Sequence, residues 1–273
     1  MFYFIFSPNN SGTTIMTQYL AQQCDGFLPS NNNNEGQRMP AVAKMMLERR
    51  WEPDQAFDWS VIRNHWQAAM AKAGKTVFVE ASPPNMVRVA AIREAFAGDM
   101  RAVFSIADPC LYVASCIKNY ETAIDDDILR RHAEAWISKA AIQRDNILRW
   151  PDIPRISYEQ FCRDPAVLNA AFGRPVVTQT PYAGKSNSRV SHILDMTARN
   201  IAFLMHAEVA IVVEALAPHA DLLGFFGYRV MDAAGYDATM HAQPDLALAG
   251  RDDRRDWVLK PRATRLLELK TSG

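Results

Sequence analysis

The residues best placed to do chemistry stand near the start of the chain. An apolar, aromatic run, Phe2-Tyr3-Phe4-Ile5-Phe6-Ser7, stops at Pro8, and Ser11-Gly12-Thr13-Thr14 follows. Gly12 carries no Cβ, so the backbone there can approach a ligand closely. A helix opening at the threonines leaves its first N–H groups without intrahelical partners, and these groups, with the helix dipole, favour an anion. The Thr13 and Thr14 hydroxyls add donors. Such a loop can cradle a phosphate or a sulfate. It is not a Walker A loop, which needs G-x-x-x-x-G-K-[S/T], because no lysine follows Gly12; ATP hydrolysis is therefore disfavoured. A simple helix cap after a buried strand fits the same four residues.

The elements that must position this loop alternate. Phe2 to Ser7 reads as a strand buried on both faces. Ile15 to Gln23, Ala41 to Arg50 and Trp59 to Ala73 read as helices, the last with Trp59, Ile62, Trp66 and Met70 at helical spacing. Thr76 to Glu80 is a second strand, Asn85 to Phe96 a helix, Arg101 to Ile106 a third strand and Cys110 to Asn119 a helix. Ile128 to Trp150 is a long amphipathic helix, Arg155 to Ser157 a short strand and Ala198 to Leu216 a late helix. This order predicts an α/β fold: a parallel sheet with helices on both faces. Ligands of such sheets sit beyond the carboxyl ends of the strands. The loop at Ser7 to Thr14 lies at such an end, and so does Glu80. After Tyr228 the pattern weakens, so residues 1–230 read as the domain and 231–273 as a C-terminal extension.

Composition narrows the function. The 273 residues are 49% apolar and 22% charged, with Lys plus Arg and Asp plus Glu at 30 each. A zero net charge gives no global attraction to nucleic acid or to an acidic membrane, so any anion site must be local. Cys24, Cys110, Cys116 and Cys162 form no CxxC pair and no cluster with histidine, which argues against a metal site and for reduced thiols in the cytoplasm. No apolar stretch is long enough to span a membrane. The apolar segment Ala198 to Ala217 reads either as core or as the surface of a homo-oligomer.

A series of short segments in order resembles the sulfotransferases that use 3′-phosphoadenosine 5′-phosphosulfate (PAPS). The strand ending in Ser11-Gly12-Thr13-Thr14 resembles their 5′-phosphosulfate loop. Asp108-Pro109 with Ser115 on the next helix resembles their 3′-phosphate motif. Tyr158-Glu159-Gln160-Phe161 with Asp164-Pro165 resembles the tyrosine–glutamate segment after the next strand. Val79-Glu80-Ala81-Ser82-Pro83-Pro84 is similar to the "EKSPP" stretch of bacterial members, and Phe225-Phe226-Gly227-Tyr228 to their usual ending. Together these cover roughly residues 2 to 230. The resemblance implies a P-loop-type, sulfotransferase-like fold, PAPS as co-substrate and no metal. It implies that Asn10, Ser11, Gly12, Thr13 and Thr14 hold the 5′-phosphosulfate and Ser115 the 3′-phosphate. Taken alone, Ser115 also fits a small residue at a tight helix–sheet contact. Golgi-type members take their base from the segment after the first helix, and here Glu35 occupies that place. Glu35 also fits a loop carboxylate at a helix start, and Glu80 is the second candidate base.

Three cations usual in that family are absent: the positions hold Asn10, Ala81 and Ala107. Lys118, Lys185, Arg189 and the Arg251, Arg254, Arg255 and Lys260 cluster around Trp257 are candidate replacements. The last group also fits a charged tail paired with Asp252, Asp253 and Asp256. The reading that follows is transfer of a sulfuryl group from PAPS to a hydroxyl of a carbohydrate, lipid or small alcohol. The alternatives are a non-catalytic nucleotide- or ligand-binding module on the same fold and, third, a P-loop kinase or NTPase.

Overall fold

The computed structural model describes residues 1–31, 33–173, 193–260 and 264–265. In chain order, the elements are β1 (Phe2–Phe6), α1 (Thr13–Cys24), α2 (Pro40–Leu47), α3 (Trp59–Lys72), β2 (Phe78–Glu80), α4 (Val89–Ala95), β3 (Met100–Ile106), α5 (Pro109–Tyr120), α6 (Asp126–Arg149) and β4 (Arg155–Ser157). They continue with α7 (Tyr158–Arg163), α8 (Ala166–Ala171), α9 (Thr197–Phe203), α10 (His206–Leu216), α11 (Ala220–Phe225), α12 (Ala233–Ala242) and α13 (Pro244–Leu259). The chain forms two compact units: Met1–Ile106 with Asp145–Leu194, and Ala107–Arg144 with Asp195–Gly273.

The first unit holds the sheet. All pairings are parallel, in the order β2-β1-β3-β4, and Phe27 adds a parallel bridge to Phe78. β1 is buried along its whole length, as its unbroken apolar run predicts for a central strand covered on both faces. On one face Phe2, Phe4 and Phe6 join Trp66 of α3, Phe78, Phe96 and Phe104 in one core. Here Phe2 meets Phe96 edge-on at 4.7 Å, and Trp66 stacks on Phe78 at 4.9 Å. On the other face Tyr3 stacks on Phe172 at 4.8 Å, and Ser105 of β3 donates to Met16 of α1 at 3.7 Å. The register pairs Phe4 with Glu80, so the carboxyl end of β2 turns its glutamate toward the aromatic face.

The second unit is helical. Arg199 of α9 grips Asp253 of α13 through two hydrogen bonds of 2.8 Å, and Lys118 of α5 reaches Asp253 at 3.2 Å. Residues 231–259 belong to this unit as α12 and α13, in a stretch whose mixed charges hide any apolar period. The single late helix expected over Ala198 to Leu216 is instead two. Leu204 and Met205 are extended, and Glu208 caps the restart by accepting from the Met205 N–H at 2.7 Å. The helix expected from Asn85 opens instead as a 3₁₀ turn over Pro83–Arg88, with α4 beginning only at Val89. No single helix among the described residues is long and apolar enough to cross a membrane.

Candidate active site

Two turns of the first unit lie at the carboxyl edge of the sheet. One is the loop after β1. Asn10 and Gly12 both adopt left-handed backbone, at φ 57° and φ 75°. Asparagine tolerates that region better than most residues, which gives the polar residue at position 10 a local reason. Gly12 is the N-cap of α1, whose first turn carries no acidic residue and no side-chain cap. A Cβ at Gly12 would collide with the ring of Tyr158, just past β4. That ring is held by its hydroxyl, which donates to the Leu194 carbonyl at 3.2 Å. Ser157 before it starts α7 with a capping box: its hydroxyl accepts from the Gln160 N–H at 3.1 Å, and the Gln160 side chain accepts from the Ser157 N–H at 2.8 Å. The tyrosine–glutamate segment thus walls the loop through Tyr158. Ser11 and Ser7 are wholly buried here, and the Ser7 hydroxyl has no partner among the described residues.

The second turn carries Glu35, whose side chain is only 12% exposed. Its Oε2 accepts from Gln37 Nε2 at 2.5 Å and from Arg38 Nε at 3.0 Å. Among the described residues, nothing bonds Oε1. Asn31 braces the backbone: its Nδ2 donates to the Glu35 carbonyl at 2.8 Å, and its Oδ1 accepts from the Glu35 N–H at 3.0 Å. Beneath the turn lies Glu80, fully buried. Its Oε2 accepts from the Gly36 N–H at 2.6 Å, and its Oε1 accepts from the Ser82 N–H at 2.8 Å and from Asn85 Nδ2 at 2.9 Å. Burial pushes the Glu80 carboxyl up to about 7. The Ser82 hydroxyl and the Ser82 and Gly36 N–H groups pull it down, and nearby Glu35 adds to the rise. Desolvation wins, because these donors return only part of the lost hydration. A strand-end glutamate was expected to face the ligand crevice; the register instead places Glu80 against Trp66, inside the protein.

The structure therefore brings Glu35 to Glu80 and Gly12 to Tyr158. Ser115 sits half-buried on α5, in the second unit. Asp108 caps that helix, accepting from the Cys110 and Leu111 N–H groups at 2.8 and 3.0 Å. The missing cations have packing counterparts. Ala81 and Ala107 are buried, and the Ala107 carbonyl accepts from the Trp136 indole at 3.0 Å. Of the candidate replacements, Lys118 is bound to Asp253 and Asn200, and burial lowers its pKa. Arg254 pairs with Glu208 at 2.7 Å and Arg255 with Asp252 at 3.2 Å. Lys185 and Arg189 lie outside the described residues. Among the described residues, no group of three or more histidine, cysteine or acidic side chains is placed to hold a metal. Gln37 escaped the sequence reading, and Trp66, Ser82 and Asn85 entered it only as a residue at helical spacing, a member of the Ser82-Pro83-Pro84 stretch and a helix start, none of them as a neighbour of the Glu35 turn.

No protein-family model matches the chain, and no curated protein matches it. Among solved structures, it is similar to the sulfotransferase domain from the curacin biosynthetic pathway. The identity is 13%, the match covers 89% of this chain and 96% of that one, and the TM-score is 0.42.

Proposed function

We propose that the protein moves a sulfuryl group from PAPS to an acceptor hydroxyl. The observation that carries this reading is the Gly12 loop: a left-handed glycine at the carboxyl end of a central parallel strand, walled by Tyr158, opening a helix with no acid in its first turn. Backbone N–H groups and dipole there suit an anion. In this reading Asn10, Ser11, Gly12, Thr13 and Thr14 hold the 5′-phosphosulfate, and Ser115 holds the 3′-phosphate. The acceptor oxygen attacks sulfur as the sulfur–oxygen bond to the phosphate breaks, and adenosine 3′,5′-bisphosphate leaves. Glu35 takes the acceptor's proton on Oε1, the oxygen without a partner among the described residues. Oε2, fixed by Gln37 and Arg38, orients the group.

The test is transfer of radiolabelled sulfate from PAPS to a library of sugar, lipid and small alcohols. The wild type should label at least one acceptor, and Glu35→Gln should lose roughly 10²–10⁴-fold in turnover. Full activity in Glu35→Gln would remove the base assignment. A second reading, a ligand-binding module without turnover, is favoured by one observation: Lys118, Arg254 and Arg255, candidate substitutes for the missing cations, are engaged in ion pairs within the second unit. Measured turnover with any acceptor ends it.

A further inference from the structure

Glu80 is the one fully buried carboxyl group of the first unit's candidate site, and it touches the backbone that carries Glu35. The structure assigns Glu80 a positioning role: it locks the Glu35-Gly36-Gln37 turn so that the Glu35 carboxylate is presented to the acceptor hydroxyl in one orientation. This inference rests on the sulfuryl-transfer reading above.

The locking is visible at each polar group of the turn. The peptide after Glu35 is held by Glu80 through the Gly36 N–H, at 2.6 Å. The next N–H, of Gln37, is taken by the Ser82 hydroxyl at 3.2 Å, two residues beyond Glu80. Asn31 binds both the N–H and the carbonyl of Glu35 itself. Gly36 adds a steric reason: a side chain there would run into Glu80, and into Trp66 ring atoms at 2.8 and 2.9 Å. Glu80 is in turn fixed from the strand side, because its other oxygen holds the Ser82 N–H and Asn85.

The choice of a carboxyl group follows from the donors. N–H groups approach both oxygens, so both ends of the side chain must accept. Only aspartate and glutamate offer two acceptor oxygens; an amide offers one, and its NH₂ would confront an N–H. Burying a carboxyl group is costly. An arrangement that retains it at the end of β2 gains a turn without rotational freedom, which is what a proton acceptor needs for an aligned hydrogen bond.

The experiment compares wild type, Glu80→Gln, Ser82→Ala, Glu35→Gln and the Glu35→Gln/Glu80→Gln double variant. Amide hydrogen exchange at Gly36 and Gln37 reads the lock without any substrate, and Glu80→Gln should speed it by about tenfold. In sulfuryl transfer, Glu80→Gln should lower kcat by about 10–100-fold, with the KM for PAPS unchanged within about twofold. The double variant should be no slower than Glu35→Gln, because Glu80 acts through Glu35. If Glu80→Gln does not fold, Ser82→Ala, which removes both the acceptor of the Gln37 N–H and the hydroxyl beside the Glu80 carboxyl, should show the same pattern at smaller amplitude. Unchanged exchange, unchanged kcat, or a double variant slower than Glu35→Gln in proportion to both single effects would overturn the assignment. A wild type that neither binds adenosine 3′,5′-bisphosphate nor transfers sulfate would instead overturn the underlying reading, while exchange at Gly36 would still decide the lock.

Discussion

The two glycine turns at the carboxyl edge of the sheet solve different problems. Gly12 is needed for its backbone, at φ 75°, and for the space its missing side chain leaves to Tyr158. Gly36 is not left-handed; it is needed only for space, because Glu80 and Trp66 crowd it from below. The first turn is a helix start with no side-chain cap on its N–H groups. The second directs its N–H groups inward, to Glu80 and Ser82, and leaves a carboxylate at its tip. In the proposed reading the difference divides the work of a transfer site along one sheet edge: the Gly12 loop would keep its donors for an anion, whereas the Glu35 turn uses its donors on Glu80 and Ser82.

The largest effect that separates the two turns should come from Trp66→Ala. It removes a wholly buried indole from the core and the floor under Gly36, at a cost of about 3–5 kcal/mol. In urea unfolding the midpoint should fall by that measure, while anion affinity at the Gly12 loop should survive in the folded fraction. Loss of both together would mean that the turns are not independent.

Next in size is a pH effect confined to the second turn. Glu80 titrates at about 7 in the folded chain, against 4.5 for a solvated glutamate. The folded state therefore binds the proton more tightly between these values. Its stabilising contribution is complete below about pH 4.5 and is lost as pH rises through about 7, some 3 kcal/mol in all by order of magnitude. Urea midpoints of wild type should fall across that window by more than those of Glu80→Gln, which cannot titrate. Parallel profiles would show that the Glu80 carboxyl is not proton-bound in that range.

Gly12→Ala is expected to cost about 2–3 kcal/mol, from left-handed backbone at about 1–2 and from the collision with the Tyr158 ring. Placing it in a Tyr158→Ala background should remove the steric part and leave about 1–2 kcal/mol from the backbone. Complete rescue would contradict the left-handed geometry. Smallest is Ser82→Ala, which leaves the buried Gln37 N–H without its acceptor and should cost about 1 kcal/mol in thermal or urea unfolding. No change would mean that the Gln37 amide finds another acceptor.

Much of the fold was legible because local chemistry and global position agree. The unbroken aromatic run of β1 announces a strand covered on both faces, and Asp108-Pro109 stands where a helix starts, whereas α7 after Ser157 was not anticipated. Legibility failed where one short-range signal was overruled. Ala198 to Leu216 is apolar throughout, so nothing in its period marks the break at Leu204 and Met205. The prolines at 83 and 84 mark a helix start but not its 3₁₀ winding. At the candidate site, Ser11-Gly12-Thr13-Thr14 was readable as a loop because its demands are local. The bond between Gly36 and Glu80 spans 44 residues, and only the strand register creates it. Glu35 was singled out through a resemblance; what holds it was not, since Gln37 and Asn31 look like ordinary loop residues and nothing local links Ser82 or Asn85 to them.

The most direct test of the central claim, a nucleotide anion held by the Gly12 loop, is a thermal-shift titration with adenosine 3′,5′-bisphosphate, with ATP and AMP as controls. At about 100 times its dissociation constant the ligand should add roughly 2.7 kcal/mol of stability, a clear rise in Tm. The rise should be specific to the bisphosphate and lost in folded Gly12→Ala protein. No shift up to millimolar bisphosphate, or equal shifts with ATP and AMP, would contradict it.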